Sequence, residues 1–226
     1  MIKAIVTDIE GTTTSLSFVK EILFPYARKN MGDFVKGNYQ RPKVAALIKD
    51  VETEAGCSLT LEETIEQLIN WIDEDKKITP LKALQGLIWE AGYTQGDYTG
   101  HVYDDAHQYL DLWHKQGLRL YVYSSGSVYA QKLLYGHTAY GDMTPLFSDY
   151  FDTKIGAKTE VNSYRSIVES VGFAADGILF LSDIVLELDA AAEAGMRTIL
   201  LDREEDCTSN QSQHICVDNF ANINFN

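Results

Sequence analysis

The chain has 226 residues, 45% hydrophobic and 23% charged, the composition of an ordinary soluble globular protein with room for one good core and a smaller companion. A formal net charge of −14 leaves no basic excess to displace counterions from nucleic acid or to seek an anionic membrane. An acidic chain that binds a small anion must reverse its field locally, with a metal ion, a lysine or helix N-termini.

The first predicted element is a strand, IKAIVTD (2–8), apolar on both faces as a buried parallel strand is. It runs into Asp8-Ile9-Glu10-Gly11-Thr12. Residues 17–116 then read as helices. LSFVKEILFPYARKNM should break or kink near Pro25, and RPKVAALIKDVETEAG ends at a glycine. TLEETIEQLINWIDEDKK opens with a capping box of Thr60 and Glu63. TPLKALQGLIWEAG has Thr79 as N-cap and Pro80 at its first helical position, and DDAHQYLDLWHKQG closes the set.

Strands return with LRLYVYS (118–124), a weaker YFDTKI (150–155), ILFLSD (178–183) and MRTILLD (196–202). Helices at 127–136, 163–172 and 186–195 each finish on Gly, as a helix C-cap does. This alternation predicts an α/β fold, a Rossmann-like doubly wound parallel sheet built from 1–16 and 117–226, with 17–116 inserted as a helical cap. After Asp202 the chain is polar apart from HICV (214–217). Cys57, Cys207 and Cys216 are scattered, odd in number and without metal spacing, so a reduced, cytoplasmic setting is expected. The N-terminus shows no signal-peptide pattern, and no apolar run nears the ~20 residues that cross a bilayer.

Polar residues gather at the carboxyl ends of the predicted strands, where open α/β sheets bind ligands. If the first strand stays extended, Asp8 and Glu10 face one side and need a cation or a shared proton, which suits Mg²⁺. One carboxylate could then attack phosphorus while the other shuttles a proton; the alternative is a strand leaving the core through solvated acids. Ser124 and Ser125, before Gly126 and a helix, suit a phosphate or simply an N-cap. Lys158 opposes the dipole of the helix it precedes, so it either neutralises a phosphate or is a solvated lysine, with Lys154 a weaker rival. Asp183 would hold a cation or cap a helix, and Glu187 would orient Lys158 or a metal-bound water. Taken together and in this order, the set reads as a phosphate-handling site. His101, His107 and His114 lie in a helical region with no carboxylate or Cys motif to complete a zinc site. They read as packed or exposed, and Trp71, Trp89 and Trp113 as packing of the helices.

DIEGTTTS, YVYSSGSV with QKLL after it, YFDTKIGAK, ILFLSD and LQGLIWEAGY resemble the motifs of the haloacid dehalogenase (HAD) superfamily, and within it the enolase-phosphatase family of methionine salvage. Most phosphatases of the superfamily carry Asp where this chain has Glu10, and the resemblance thins after about residue 202. The resemblance implies a phosphoric monoester hydrolase with one Mg²⁺. Asp8 would be nucleophile and metal ligand, Glu10 the general acid/base with its backbone carbonyl on the metal, and Asp183 the remaining ligand. Ser124, Ser125 and Lys158 would bind the substrate phosphate, and 17–116 would be a mobile helical cap. The implied reaction takes 2,3-diketo-5-methylthiopentyl-1-phosphate through enolisation and dephosphorylation to 1,2-dihydroxy-3-keto-5-methylthiopentene, an acireductone. The enolisation base would be Glu10, with Lys82 or Gln85 of the cap as alternatives. A monomer without nucleic-acid or membrane partners is expected, and a phosphatase of the superfamily without enolase activity is the alternative function.

Overall fold

The structure, a computed structural model, describes residues 1–203 and 213–224. Cys207 lies outside the described residues. The chain divides into two compact units, one formed by Met1–Leu16 with Thr99–Asn226, the other by Ser17–Tyr98.

The first unit is built on a parallel sheet of β1 (Ala4–Thr7), β2 (Arg119–Tyr123), β3 (Phe147–Phe151), β4 (Ile178–Ser182), β5 (Arg197–Leu201) and β6 (Ile215–Val217), in the order β3-β2-β1-β4-β5-β6. The unbroken apolar runs of β1, β2 and β4 follow from burial on both faces. Val6 pairs with Tyr121 on one side and Phe180 on the other. On one face Ala4, Val6, Tyr123 and Phe180 pack with Tyr164 and Ile167 of α7 (Val161–Val171) and Leu188 and Ala191 of α8 (Val185–Glu193). From β1 the chain goes to β2 and β3 on one side, then crosses to β4, β5 and β6 on the other, so the crevice beyond the carboxyl end of β1 is the switch point where such sheets bind ligands.

β3 pairs over 147–151, three residues before the predicted 150–155. The strand stops because the Asp152 carboxylate accepts the N–H of Lys154 at 2.9 Å and of Val128 at 3.2 Å, turning the chain. Gly172 takes the left-handed C-cap expected of α7, with φ 77°. In α6 (Val128–Gly136), Gly136 is still helical and His137 follows it.

The second unit contains α1 (Phe24–Asn38), α2 (Pro42–Ala55), α3 (Leu61–Asp73) and α4 (Thr79–Gln95) around Ala27, Met31, Val35, Leu68, Trp71, Leu81, Leu84 and Ile88. The break predicted near Pro25 is a π-helical turn over Phe18–Leu23, where the Phe24 N–H reaches the Val19 carbonyl just ahead of the proline. Thr60 and Glu63 form the expected capping box. α4 is capped by Ile78, one residue before the predicted Thr79.

The expected 17–116 insertion ends early, at Tyr98. α5 (Asp104–Lys115) belongs to the sheet unit, where Trp113 stacks on Phe220 at 5.4 Å and accepts the Leu118 N–H at its carbonyl. Among the described residues no helix is long and apolar enough to cross a membrane.

Candidate active site

Asp8 extends β1 by one rung, its N–H donating to the Leu181 carbonyl at 2.9 Å. The chain then coils instead of staying extended. The N–H groups of Thr12, Thr13 and Thr14 converge on the Ile9 carbonyl at 3.2, 2.9 and 2.8 Å. Gly11 adopts φ +72°, and a Cβ there would collide with the Asp183 carboxylate, so only glycine fits. Asp8 and Glu10 are thus brought to one loop by a coil rather than by strand alternation. Glu10 is half-buried and bridges to Thr14. The Thr13 hydroxyl shares a 2.8 Å hydrogen bond with the fully buried Tyr135 hydroxyl, fixing the far side of the loop.

Lys158 reaches this loop from the β3–α7 connection. Its Nζ stands 2.6 Å from Asp8 Oδ1 and 2.7 Å from Glu187 Oε2, with all three side chains nearly buried. Three aromatic or hydroxyl side chains hold the connection. Tyr123 donates to the Gly156 carbonyl at 3.1 Å, Ser163 to Ala157 at 2.7 Å and Tyr164 to Lys158 at 2.7 Å. Gly156, with φ +139°, lies so close to Ser163 that a side chain would not fit. Glu187, on the first turn of α8, also accepts from the Ser182 hydroxyl at 2.9 Å, and that hydroxyl accepts the Ile184 N–H at 3.1 Å.

Ser124 and Ser125 follow β2, beside β1. The Ser124 N–H donates to the Phe151 carbonyl at 3.2 Å, and its hydroxyl accepts the Gly126 N–H at 3.1 Å. The N-cap of α6 is Ser127, not either of these serines. Gln131 steadies the loop from α6 by donating to the carbonyls of Gly126 and Phe151, each at 2.8 Å. Asp8, Lys158, Asp183 and Glu187 therefore meet in one cluster, and the two serines line the neighbouring strand end. Lys154 is exposed and stands outside it. Gln131, Asp152, Tyr123, Gly156, Ser163 and Tyr164 were invisible as site residues in the sequence; a glycine two residues before the lysine was the one local signal.

The histidines do other work. His101 accepts the Ser15 N–H at 3.1 Å, His107 stacks on Tyr140, and His114 meets the Leu146 carbonyl at 3.1 Å. Lys82 and Gln85 both lie on α4, in the other unit, Gln85 buried.

The electrostatics of the cluster are unbalanced: three carboxylates interact with one ammonium. Burial would lower the Lys158 pKa, but Asp8 and Glu187 outweigh it and hold the ammonium charged. Burial, then Asp8, raises the Glu187 pKa against the pull of Lys158. Burial and the charge of Asp8 push the Asp183 carboxyl up to about 7. Asp183 Oδ1 is buried without a hydrogen-bond partner. Among the described residues no three His, Cys, Asp or Glu side chains form a ready-made metal cage. Two hard carboxylates in a negative pocket, one with an orphaned oxygen, nevertheless suit a hard dication completed by backbone oxygen and water.

Asp183→Asn tests this imbalance. The folded pKa of Asp183 lies above its ordinary 3.8, so the fold disfavours the ionised form. That penalty is absent below pH 3.8 and is complete once the pH has risen through about 7. At pH 8 without metal, Asp183→Asn should be the more stable protein by about 1 kcal/mol, allowing for solvent screening. Saturating Mg²⁺ should reverse the order, since ligand at about 100 times its Kd stabilises by about 2.7 kcal/mol. Thermal melts with and without Mg²⁺ read both effects; a variant less stable than wild type in both conditions would refute the argument.

A family model described as haloacid dehalogenase-like hydrolase matches residues 2–195. An enolase-phosphatase E1 of Thioalkalivibrio sulfidiphilus is 60% identical over 203 residues, covering 90% of this chain and 91% of the relative. That of Alcanivorax borkumensis is 52% identical over 225 residues, 99% of each chain. Among solved structures, the UTR4 protein of Saccharomyces cerevisiae superposes with a TM-score of 0.85 at 33% identity, covering 99% of this chain and 100% of that one. CbbY of Rhodobacter sphaeroides, solved with phosphate, shares the fold at 18% identity, with a TM-score of 0.61 over 98% of this chain and 96% of its own.

Proposed function

The chain belongs to the haloacid dehalogenase-like hydrolases and, within them, to the enolase-phosphatases, and from that premise we propose how its residues divide the work. The protein is an enolase-phosphatase of methionine salvage, converting 2,3-diketo-5-methylthiopentyl-1-phosphate to the acireductone 1,2-dihydroxy-3-keto-5-methylthiopentene. The observation that carries the assignment of roles is the Lys158 ammonium, 2.6 Å from Asp8 and 2.7 Å from Glu187.

Asp8 is the nucleophile. A carboxylate oxygen forms a bond to phosphorus as the bond to the substrate's C1 oxygen breaks, leaving an aspartyl-phosphate. Glu10 gives the departing oxygen its proton, then takes one from the water that attacks the aspartyl-phosphate and frees phosphate. Lys158, held by Glu187, lies against the phosphoryl oxygens, and Ser124 and Ser125 hold them from the β2 side. Asp8, the Glu10 backbone carbonyl and Asp183 would hold one Mg²⁺. Bound there, it would supply positive charge to offset the negative charge on the phosphoryl oxygens and on the enolate. In the enolisation Glu10 takes the C1 proton, made acidic by the adjacent diketone.

Ultraviolet–visible spectra during turnover of the diketone phosphate test the bifunctional reading. An enol absorbance should rise before phosphate appears and give way to that of the acireductone. Phosphate released with no enolic product would leave a phosphatase without enolase activity.

A further inference from the structure

Arg203 stands two residues beyond β5, and its side chain is 9% exposed. Its Nε and Nη2 both donate to the Thr12 carbonyl, at 3.1 and 2.7 Å. Its Nη1 donates to both oxygens of Asp105, at 2.9 and 2.8 Å. The guanidinium also lies over the rings of Tyr103, at 4.2 Å, and Phe220, at 5.2 Å. Asp105 is anchored in turn, accepting the Phe220 N–H at 2.7 Å from its place in the first turn of α5.

The carbonyl that Arg203 holds belongs to the loop carrying Asp8 and Glu10. It is one residue from Gly11, whose Cα backs onto the Asp183 carboxylate. Thr12 is fully buried and its hydroxyl has no hydrogen-bond partner, so the guanidinium fork is a main polar restraint on this residue. Movement of the Thr12 peptide would carry Gly11 toward or away from Asp183 and change the spacing of Asp8 and Asp183. A planar fork satisfies a carbonyl and a carboxylate together, which the point charge of a lysine does not.

We infer that Arg203 is a positioning residue: by clamping the Thr12 carbonyl to Asp105 it sets the loop that presents Asp8 and Glu10 against Asp183. The inference rests on the proposal that Asp8 and Asp183 hold the metal, so its test separates the two. Arg203→Lys and Arg203→Ala would be compared with Phe220→Leu, which removes a ring beneath the guanidinium but leaves the hydrogen bonds of the fork in place, and with Asp183→Asn. Mg²⁺ affinity is read by calorimetry on the metal-free proteins, kcat and KM by phosphate release, and folding by circular dichroism. Arg203→Lys keeps the charge beside Asp105 and serves if Arg203→Ala does not fold.

Both Arg203 variants should bind Mg²⁺ about ten-fold more weakly and lose about ten-fold or more in kcat, KM changing by less than about two-fold. Added guanidinium should return part of the Arg203→Ala activity. Phe220→Leu should lower the melting temperature alone. Arg203 variants that lose only melting temperature, beside an Asp183→Asn protein that has lost Mg²⁺ binding, overturn the clamp. Undiminished Mg²⁺ binding by Asp183→Asn overturns the metal assignment and the inference with it.

Discussion

Asp8→Asn should lower phosphate release by about four orders of magnitude or more while leaving the fold in place, as loss of a catalytic nucleophile does elsewhere. The amide can occupy the carboxylate's space but cannot form the bond to phosphorus. The loop does not depend on that side chain. The Ile9 carbonyl still gathers three N–H groups, Thr13 still meets Tyr135, and the backbone N–H of residue 8 still pairs with Leu181. Lys158 keeps Glu187 as a partner at 2.7 Å. Circular dichroism should therefore be unchanged, and acid quenching of a single turnover should trap no phosphorylated protein. Activity within about ten-fold of wild type would rule out Asp8 as the nucleophile, because residual binding and electrostatic effects do not substitute for the attacking atom.

Three parts of the site visible in the sequence, Asp8, Ser124 and Asp183, share one feature: each follows a strand directly. Asp8 and Asp183 come straight after apolar runs whose length and lack of alternation mark buried parallel strands. Strand ends at a switch point are fixed by topology, so the pattern locates them without a structure. Alternation pointed to Asp8 and Glu10 through an extended strand that the chain does not continue past Asp8. The backbone coils at Ile9, and only Gly11 in the motif hinted at that. Supports from elsewhere left no local trace. Arg203 lies in a polar stretch, and its meaning depends on Thr12 and Asp105, far away along the chain. Helix α5 shows the same limit at the scale of domains. The stripe of Ala106, Leu110 and Trp113 has helical spacing whichever core it buries against, so periodicity alone placed it with the insertion.

Lys158→Met should have the largest effect on stability, because it removes the one ammonium from a pocket of three carboxylates. Breaking a buried ion pair from one side leaves charge uncompensated and costs about 3–5 kcal/mol. For a chain of this size that corresponds to a melting temperature lower by about 10 °C in metal-free protein at neutral pH. The sign holds across the usable range. The folded pKa of Lys158 is raised above 10.5, so its contribution is complete below 10.5 and is lost only as the pH climbs through the higher folded value. Kinetically, losing a donor aimed at the phosphoryl oxygens should lower kcat by about 10²–10³-fold. A second change separates charge from packing. In Lys158→Met/Glu187→Gln the amide can still accept from Ser182, and one of the two carboxylates that the single variant strands is gone, Asp8 remaining. The double variant should therefore regain much of the lost stability while staying as inactive as the single one. Non-additivity of this sign is what a double-mutant cycle reports for two residues of one buried salt-bridge network. A double variant no more stable than Lys158→Met would mean that the lysine holds the pocket by its aliphatic stem rather than by neutralising Glu187.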